Sequence, residues 1–168
     1  YGVSGQVGGD SNSREYYDFP IYHQKGEERF VLDIANQTTD LEQLFSIFAE
    51  IIEEGQTYPQ ESTSLEEFKN YFYSHKTFVV RQCPSATDQG GDDDSIKFGD
   101  KAVAGFYIKP NFPGRSSHLA NYGLIVNKKV RGRGIGNFMV KNCIILAKKL
   151  GFRALYTNLV YETNVASI

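Results

Sequence analysis

A short basic and glycine-rich stretch, "VNKKVRGRGIGNFM" at residues 126–139, concentrates residue types that bind phosphate groups. Glycines allow backbone N–H groups to converge on an anion, and basic side chains add charge-assisted hydrogen bonds. The stretch therefore predicts a ligand with phosphate groups, and a nucleotide loop, a nucleic-acid patch and a narrower pyrophosphate site are the alternatives. The residues concerned are Lys128, Lys129, Arg131, Gly132, Arg133, Gly134 and Gly136.

Three established phosphate-binding patterns fit this stretch poorly. A Walker loop ends in Gly-Lys-Ser/Thr, but Asn137 and Phe138 stand at that place. A dinucleotide fingerprint that began at Gly132 would need its third glycine where Asn137 stands. A nucleic-acid patch would interleave aromatic side chains with the charges, and the formal net charge of −2 is not that of a polyanion binder. We therefore expect no nucleic-acid partner.

The pattern R-x-x-G-x-G, formed by Arg131, Gly134 and Gly136, fits better. It lies between the apolar run "GLIVN" and an amphipathic helical pattern, and a helix start adds unpaired N–H groups and the positive end of the helix dipole. This arrangement favours a pyrophosphate group, while a tight strand-to-helix turn with a surface charge cluster is the structural alternative. The predicted anion-binding residues are Arg131, Gly132, Arg133, Gly134, Ile135, Gly136 and Asn137.

The elements that must position this loop follow from hydrophobic periodicity. Five strands are predicted at "RFVLDIAN", "TFVVRQC", "AVAGFYIKPN", "NYGLIVN" and "ALYTNLVY". Capping boxes at Thr39/Glu42 and Ser64/Glu67 predict the starts of two helices, the first of which ends at Gly55. A third helix carries one apolar face and ends at Gly151, and that face consists of Ile135, Phe138, Met139, Leu146 and Leu150. The order predicts an α/β (α+β) fold with a mixed sheet covered by helices.

Length and composition predict one globular domain. The chain has 168 residues, of which 40% are hydrophobic, enough to bury a core. We expect a flexible N-terminal segment over residues 1–29, since residues 1–15 are rich in glycine, serine and asparagine, and an ordered domain over residues 30–168 that begins near Phe30. No apolar run approaches the roughly 20 residues of a membrane helix, so no membrane partner is expected.

Cysteine and acidic residues give little sign of a metal site. Cys83 and Cys143 lack metal-ligand spacing, and two such thiols indicate a reducing, intracellular compartment, cytoplasmic or mitochondrial. Asp92, Asp93 and Asp94 lie in a polar loop without the spaced ligands of a calcium loop. We therefore expect no metal.

The strand, loop and helix around residues 126–139 resemble motif A of the GNAT acetyltransferases, where the loop holds the pyrophosphate of acetyl-CoA. The segments "GQTYPQ", "GFYIKPN", "SSHLANYGLIVN" and "NLVYETNVAS" are similar to fungal GNAT enzymes that N-acetylate proline analogues such as azetidine-2-carboxylate. The resemblance runs from about Leu41 to Ile168. It implies a mixed, mostly antiparallel sheet with helices on both faces, acetyl-CoA as cosubstrate and a small amine as substrate. It also implies that the C-terminal helix and strands of that fold are missing from this chain.

The same resemblance assigns site residues. It implies that Asn121 and Asn158 contact the substrate and are the catalytic pair, that Leu159 and Tyr58 line the substrate site, and that Asn164 contacts the cofactor. In the GNAT fold the fourth and fifth strands splay apart and acetyl-CoA enters the gap. Backbone groups of the fourth strand would then bind the pantetheine and polarise the thioester carbonyl, namely those of Leu124, Ile125 and Val126.

Alternatives remain for several residues. Asn121 could cap a strand end, Asn158 could satisfy loop backbone, and Tyr58 could be a packed loop tyrosine. His118 could relay a proton or belong to a turn, Glu162 could be a base acting through water or a solvated side chain, and Lys109 is expected to face solvent. At the level of function, the alternatives are a GNAT enzyme for another amine, such as a polyamine or a protein lysine, and a non-catalytic CoA-binding fragment. Since related enzymes are often dimers, a homodimer is a further expectation.

Overall fold

The computed structural model describes residues 18–83 and 101–167. Its strands are β1 (Ile21–Lys25), β2 (Glu28–Ile34), β3 (Lys76–Gln82), β4 (Ala102–Pro110), β5 (Leu119–Val126) and β6 (Ala154–Tyr156). Its helices are α1 (Gln37–Glu54), α2 (Leu65–Phe72) and α3 (Ile135–Lys149). The expectations for residues 1–15 and for the aspartates at 92–94 concern residues outside these ranges.

One six-stranded sheet runs in chain order from β1 to β6. Neighbouring strands are antiparallel except the last pair, β5 and β6, which is parallel. Antiparallel neighbours can be joined by short turns, whereas a parallel pair needs a crossover, and α3 is that crossover. The predicted mixed, mostly antiparallel sheet is confirmed.

The N-terminal boundary needs a correction. Residues 1–29 were expected to be flexible, but Ile21–Lys25 forms β1 and pairs with β2 across a turn at Gly26, whose φ is 61°. The strand was missed because only Ile21 and His23 of its five residues are half-buried, so its apolar signal is weak. Order within the described chain therefore begins before Phe30.

The helix ends agree with the capping rules, with one shift. α2 starts with the predicted capping box, in which Ser64 and Glu67 bond each other's backbone N–H groups. α1 ends at Gly55 in the left-handed conformation, as predicted, but its N-cap is Asn36 rather than Thr39. The Asn36 side chain accepts from the backbone N–H of Thr38. An asparagine cap does not match the Ser/Thr-x-x-Glu pattern that predicted a start at Thr39.

Two hydrophobic cores lie on opposite faces of the sheet. On one face α1 and α2 pack against the sheet through Leu44, Phe48, Phe68 and Phe72, together with strand residues such as Ile125. On the other face α3 buries one side, as predicted, through residues that include Ile135, Met139 and Leu146. Helices therefore cover both faces, and the sheet between them can hold β5 and its loop in fixed positions.

The last strand is shorter than predicted. The segment "ALYTNLVY" was expected to be strand throughout, but pairing with β5 covers only Ala154–Tyr156 and ends at the pair Asn121–Tyr156. Beyond it the chain leaves β5, and Asn158 lies in an irregular segment rather than in a strand. A single 3-10 turn follows at Val165–Ser167.

A buried ion pair fixes α1 against the sheet. Asp40, in the first turn of α1, has no solvent exposure and lies 2.6 Å from the guanidinium of Arg81 on β3. The same carboxylate accepts from the backbone N–H of Asn36 at 2.7 Å. Arg81 is itself only 13% exposed, so loss of its partner would leave a charge with little access to water.

Replacing Asp40 by alanine should therefore lower the free energy of unfolding by about 3–5 kcal/mol. Urea denaturation followed by circular dichroism measures this loss. Glu53→Ala, which removes an exposed carboxylate from the same helix, is the matched control and should change stability by no more than about 0.5 kcal/mol. If both variants unfold at the same urea concentration, the ion pair does not stabilise this contact.

Candidate functional site

The glycine-rich loop connects the end of β5 to the start of α3. A 3-10 turn at Lys128–Val130 comes first, capped by the Asn127 side chain, which accepts from the N–H of Lys129 at 2.9 Å. The chain then turns through Gly132 and Gly134, whose φ values are 77° and 78°. Side chains with a Cβ rarely adopt this conformation, so both glycines are required by the turn itself.

The first turn of α3 forms a cradle of backbone N–H groups. Gly134 is the N-cap and offers no side-chain cap, and the first hydrogen bond inside the helix runs from Phe138 N–H to Gly134 C=O. The N–H groups of Ile135, Gly136 and Asn137 therefore lack acceptors within the helix. A Cβ built on Gly136 would meet no heavy atom within 4 Å, so its missing side chain leaves space beside these donors.

Basic side chains around the cradle are already paired with carboxylates. Lys128 lies 3.4 Å from Glu50, and Arg131 lies 2.8 Å from Glu54, both on α1. Arg133 pairs with Glu28 on β2. These are surface pairs of small individual value, so an incoming anion can compete for the cations. The compensation also means that the loop is not the unbalanced basic patch that its sequence suggests.

His23 on β1 contacts the loop from the N-terminal hairpin. Its Nε2 lies 3.2 Å from the carbonyl oxygen of Arg133, and its ring stacks on Phe138 with the centroids 4.9 Å apart. This residue was not predicted because its segment was expected to be flexible. The sequence "IYHQK" has no alternation of apolar and polar residues that would have indicated a half-buried strand.

The backbone of β5 has one open edge. The hydrogen bonds from Asn111 N–H to Leu119 C=O and from Asn127 N–H to Val103 C=O show that odd-numbered β5 residues bond to β4. Because backbone groups alternate in direction along an antiparallel strand, those of Leu124 and Val126 point away from β4. β6 pairs only as far as Asn121, so the N–H groups of Leu124 and Val126 open into the gap between the diverging strands. Their carbonyl oxygens accept from the hydroxyl of Tyr58 and from Nε of Arg131.

Ile125 is placed differently from its two neighbours. Sequence analysis grouped it with Leu124 and Val126 as cofactor-binding, but its backbone faces β4 and its side chain has no solvent exposure. The period of two along a strand sends alternate residues to opposite edges, so three consecutive residues cannot all face the gap with their backbone groups. The structure thus makes Leu124 and Val126 available and Ile125 part of the core.

Tyr58 supports the open edge from the other side. Its side chain is 8% exposed, and its hydroxyl donates to the carbonyl oxygen of Leu124 at 3.1 Å. A Cβ on Gly123 would lie 2.6 Å from that hydroxyl oxygen and from the Tyr107 ring, so the glycine makes this approach sterically possible. Burial raises the pKa of Tyr58 well above its ordinary value, so the hydroxyl keeps its proton. Tyr58 therefore holds β5 in place.

Asn121 and Asn158 are brought together by a residue that the sequence analysis did not single out. Each donates from its Nδ2 to Oδ1 of Asn111, and both distances are 2.7 Å. Oδ1 of Asn121 is buried and has no hydrogen-bond partner among the described residues. Asn111 directly follows Pro110, the last residue of β4, and its presence in "GFYIKPN" was the only available signal.

The other predicted residues occupy varied positions. Leu159 is 65% exposed in the segment after β6, and Asn164 makes local backbone hydrogen bonds at the 3-10 turn. His118 bonds the carbonyl oxygen of Arg115, which agrees with the turn alternative, and Glu162 is exposed.

Lys109 does not face solvent as expected. It is half-buried, with its Nζ 3.9 Å from the Tyr71 ring centroid and 4.5 Å from that of Tyr107. Burial lowers its pKa. The rings of Tyr71 and Tyr107 stabilise the ammonium group through cation–π contacts.

A strand with an open edge leads into a cradle of N–H groups at a helix N-terminus, which is the arrangement that the resemblance to motif A implies for a cofactor with a pantetheine arm and a pyrophosphate. The model of the "Acetyltransferase (GNAT) family" matches residues 44–168. The chain belongs to this family.

Individual relatives are similar over most of the chain. N-acetyltransferase aca1 of Schizosaccharomyces pombe is 36% identical over 120 residues, which cover 70% of this chain and 57% of that protein. A GCN5-related N-acetyltransferase from Kribbella flavida superposes with a TM-score of 0.68 at 24% identity, covering 82% of this chain and 76% of that one. A GNAT phosphinothricin acetyltransferase from Sinorhizobium meliloti, solved in complex with AcCoA, gives 0.59 at 17% identity, covering 76% and 64%. This chain therefore spans little more than half the length of aca1.

Acetyl-CoA, the cosubstrate of GNAT acetyltransferases, fits the residues present. The unpaired N–H groups at the start of α3 and the space beside Gly136 match a pyrophosphate. The open N–H groups of Leu124 and Val126 match the carbonyl oxygens of a pantetheine arm, while the carbonyl oxygens of the same two residues already accept from Tyr58 and Arg131. When bound, the cosubstrate supplies the thioester that carries the acetyl group.

Gly136 allows ligand binding and folding to be tested separately. Gly136→Ala should leave stability unchanged or raise it by up to roughly 0.5–1 kcal/mol, since alanine favours a helix and meets no neighbour here. The new methyl group would occupy the cradle, so the Kd for acetyl-CoA should rise about tenfold or more. Titration calorimetry and thermal unfolding measure the two effects.

Gly134→Ala is the contrasting variant, because the φ of 78° at Gly134 strains any side chain. It should lose stability as well as affinity. Unchanged acetyl-CoA affinity in Gly136→Ala would show that the phosphates do not approach this residue.

Proposed function

We propose that this chain is an acetyl-CoA-dependent N-acetyltransferase for a small amine, most specifically a proline analogue such as azetidine-2-carboxylate. The observation that carries the proposal is the cluster of Asn111, Asn121 and Asn158 at the Leu119 end of β5. Asn121 and Asn158 share one acceptor on Asn111, and the buried Oδ1 of Asn121 lacks a partner among the described residues. An amine with an N–H group supplies the donor that this oxygen lacks.

The open edge of β5 connects this cluster to the cofactor loop. Asn121 marks the point where β5 and β6 part, and Leu124 and Val126 follow along the same strand. An acyl group held along this edge would thus lie beside the asparagines. N–H groups that point into the gap can donate to the thioester carbonyl as negative charge develops on its oxygen, and such donors typically contribute a few kcal/mol each.

The transfer itself needs few protein groups. The amine nitrogen attacks the thioester carbon, the new C–N bond forms, and the C–S bond breaks with the electron pair leaving on sulfur. The amine loses one proton and the thiolate gains one. β5 carries no acidic residue that could accept the amine proton. The proton lost by the nitrogen can instead pass to the departing thiolate, directly or through water, which balances the step.

The charge near the cluster favours an amine that also carries a carboxylate. Lys109 is the direct partner of Asn121 across β4 and β5, so the two side chains start on the same face of the sheet. No carboxylate of the described residues forms an ion pair with it. A half-buried ammonium group gains from an anion and repels a polycation, which supports an amino acid over a polyamine.

Acetylation by the purified chain tests the proposal. Release of CoA thiol should be seen with azetidine-2-carboxylate and cis-4-hydroxyproline and should be at least about tenfold slower with spermidine or a lysine peptide. Asn158→Ala should lower kcat/KM by about tenfold, the value of one or two hydrogen bonds. Asn70→Ala, an exposed asparagine on α2, is the control and should match the wild type.

Three results would contradict parts of this proposal. Turnover of spermidine or the peptide alone would assign another amine substrate. Acetyl-CoA binding without turnover of any amine would support a non-catalytic CoA-binding role. Equal turnover by wild type and Asn158→Ala would remove Asn158 from the site.

A further inference from the structure

Asn111 joins three segments of the chain that are distant in sequence. Its backbone N–H donates to the carbonyl oxygen of Leu119 at 2.8 Å, which fixes it at the end of the β4–β5 pairing. Its Oδ1 accepts from Nδ2 of Asn121 on β5 and from Nδ2 of Asn158 after β6. One carbonyl oxygen therefore has two donors at the same distance, 2.7 Å.

These two bonds determine which end of each amide is available. An asparagine amide has one oxygen that accepts and one nitrogen that donates. Since both Nδ2 atoms point to Asn111, the oxygens of Asn121 and Asn158 are turned away from it. Oδ1 of Asn121 is then a buried acceptor without a donor among the described residues. A buried polar atom without a partner is uncommon, and a water molecule or the N–H group of a ligand can supply the donor.

We propose that Asn111 is a positioning residue that orients the amides of Asn121 and Asn158. Their carbonyl oxygens then face the amine that receives the acetyl group. The site thereby selects substrates with N–H groups, that is, primary and secondary amines, through acceptors rather than through a negative charge. This inference rests on the proposed acetyl transfer to a small amine and adds the residue that sets its orientation.

The position of Asn111 separates its effect from cofactor binding. It lies at the Leu119 end of β5, whereas the glycine-rich loop begins after Val126 at the other end. Five residues of extended chain between Asn121 and Val126 span roughly 17 Å. Asn111 should therefore influence the amine substrate and leave acetyl-CoA binding unchanged.

Steady-state kinetics of three variants of the full chain test the proposal, with azetidine-2-carboxylate as the probe. Asn111→Ala removes the shared acceptor and should raise the KM for the amine about tenfold or more, with the KM for acetyl-CoA within about twofold of the wild type. Asn111→Asp keeps an oxygen that accepts both N–H groups, so its amine KM should stay within about threefold. Asn70→Ala is again the surface control.

Thermal unfolding and acetyl-CoA calorimetry on the same variants separate positioning from folding. If Asn111→Ala keeps the wild-type amine KM, or if Asn111→Asp is impaired as much as Asn111→Ala, the positioning role is wrong. A parallel rise in both KM values would also overturn it, because a general structural defect does not distinguish the two substrates. Absence of acetyl transfer by the wild type is a different result, since it refutes the proposed function.

Discussion

The divergence of β5 from β6 is the constraint on which the site depends. β5 pairs with β4 along its whole length but with β6 only as far as Asn121. An unpaired strand edge in the middle of a protein exposes backbone donors and acceptors that normally need partners. Here Tyr58 and Arg131 satisfy the carbonyl oxygens of Leu124 and Val126, and the N–H groups of these residues face a gap beside the helix N-terminus, which has further N–H groups without acceptors in the helix. A ligand that carries both carbonyl oxygens and phosphates can satisfy both sets of donors.

Tyr58 and Gly123 show how the surrounding core maintains this edge. The tyrosine comes from the connection after α1, packs edge-on against Phe48 at 4.9 Å, and reaches the carbonyl oxygen of Leu124. The absent side chain of Gly123 leaves room for its hydroxyl. The contact links the α1–α2 core to the open edge, so packing on one face of the sheet positions the backbone that faces the gap.

Features formed by residues near in sequence could be predicted, and features formed across the chain could not. The Ser64/Glu67 cap, the apolar face of α3 and the glycine-rich turn depend on spacings of three or four residues, and each was found from those spacings. β1 was missed because a short edge strand buries little. The period of two along a strand already shows that residues 124, 125 and 126 cannot all face the gap, but register with β4 decides that Ile125 is the one excluded. The shared contacts of Asn111 span 10 and 47 residues, so they had no local pattern.

The distribution of charge explains why the loop relies on its backbone. Glu50, Glu54 and Glu28 already neutralise three of the four basic side chains at residues 128–133, so those side chains offer an anion little net attraction. Within residues 18–83 and 101–167 no side chain caps the N–H groups at the start of α3, and the helix dipole favours negative charge at that point. In the proposed function the glycines leave room for the phosphates, and the paired arginines rearrange around them. At the other end of β5 the proposed amine site consists of three uncharged amides beside the half-buried Lys109. Both ends of the proposed site would therefore bind largely through dipoles that the sheet holds, and the geometry of β5 sets the distance between them.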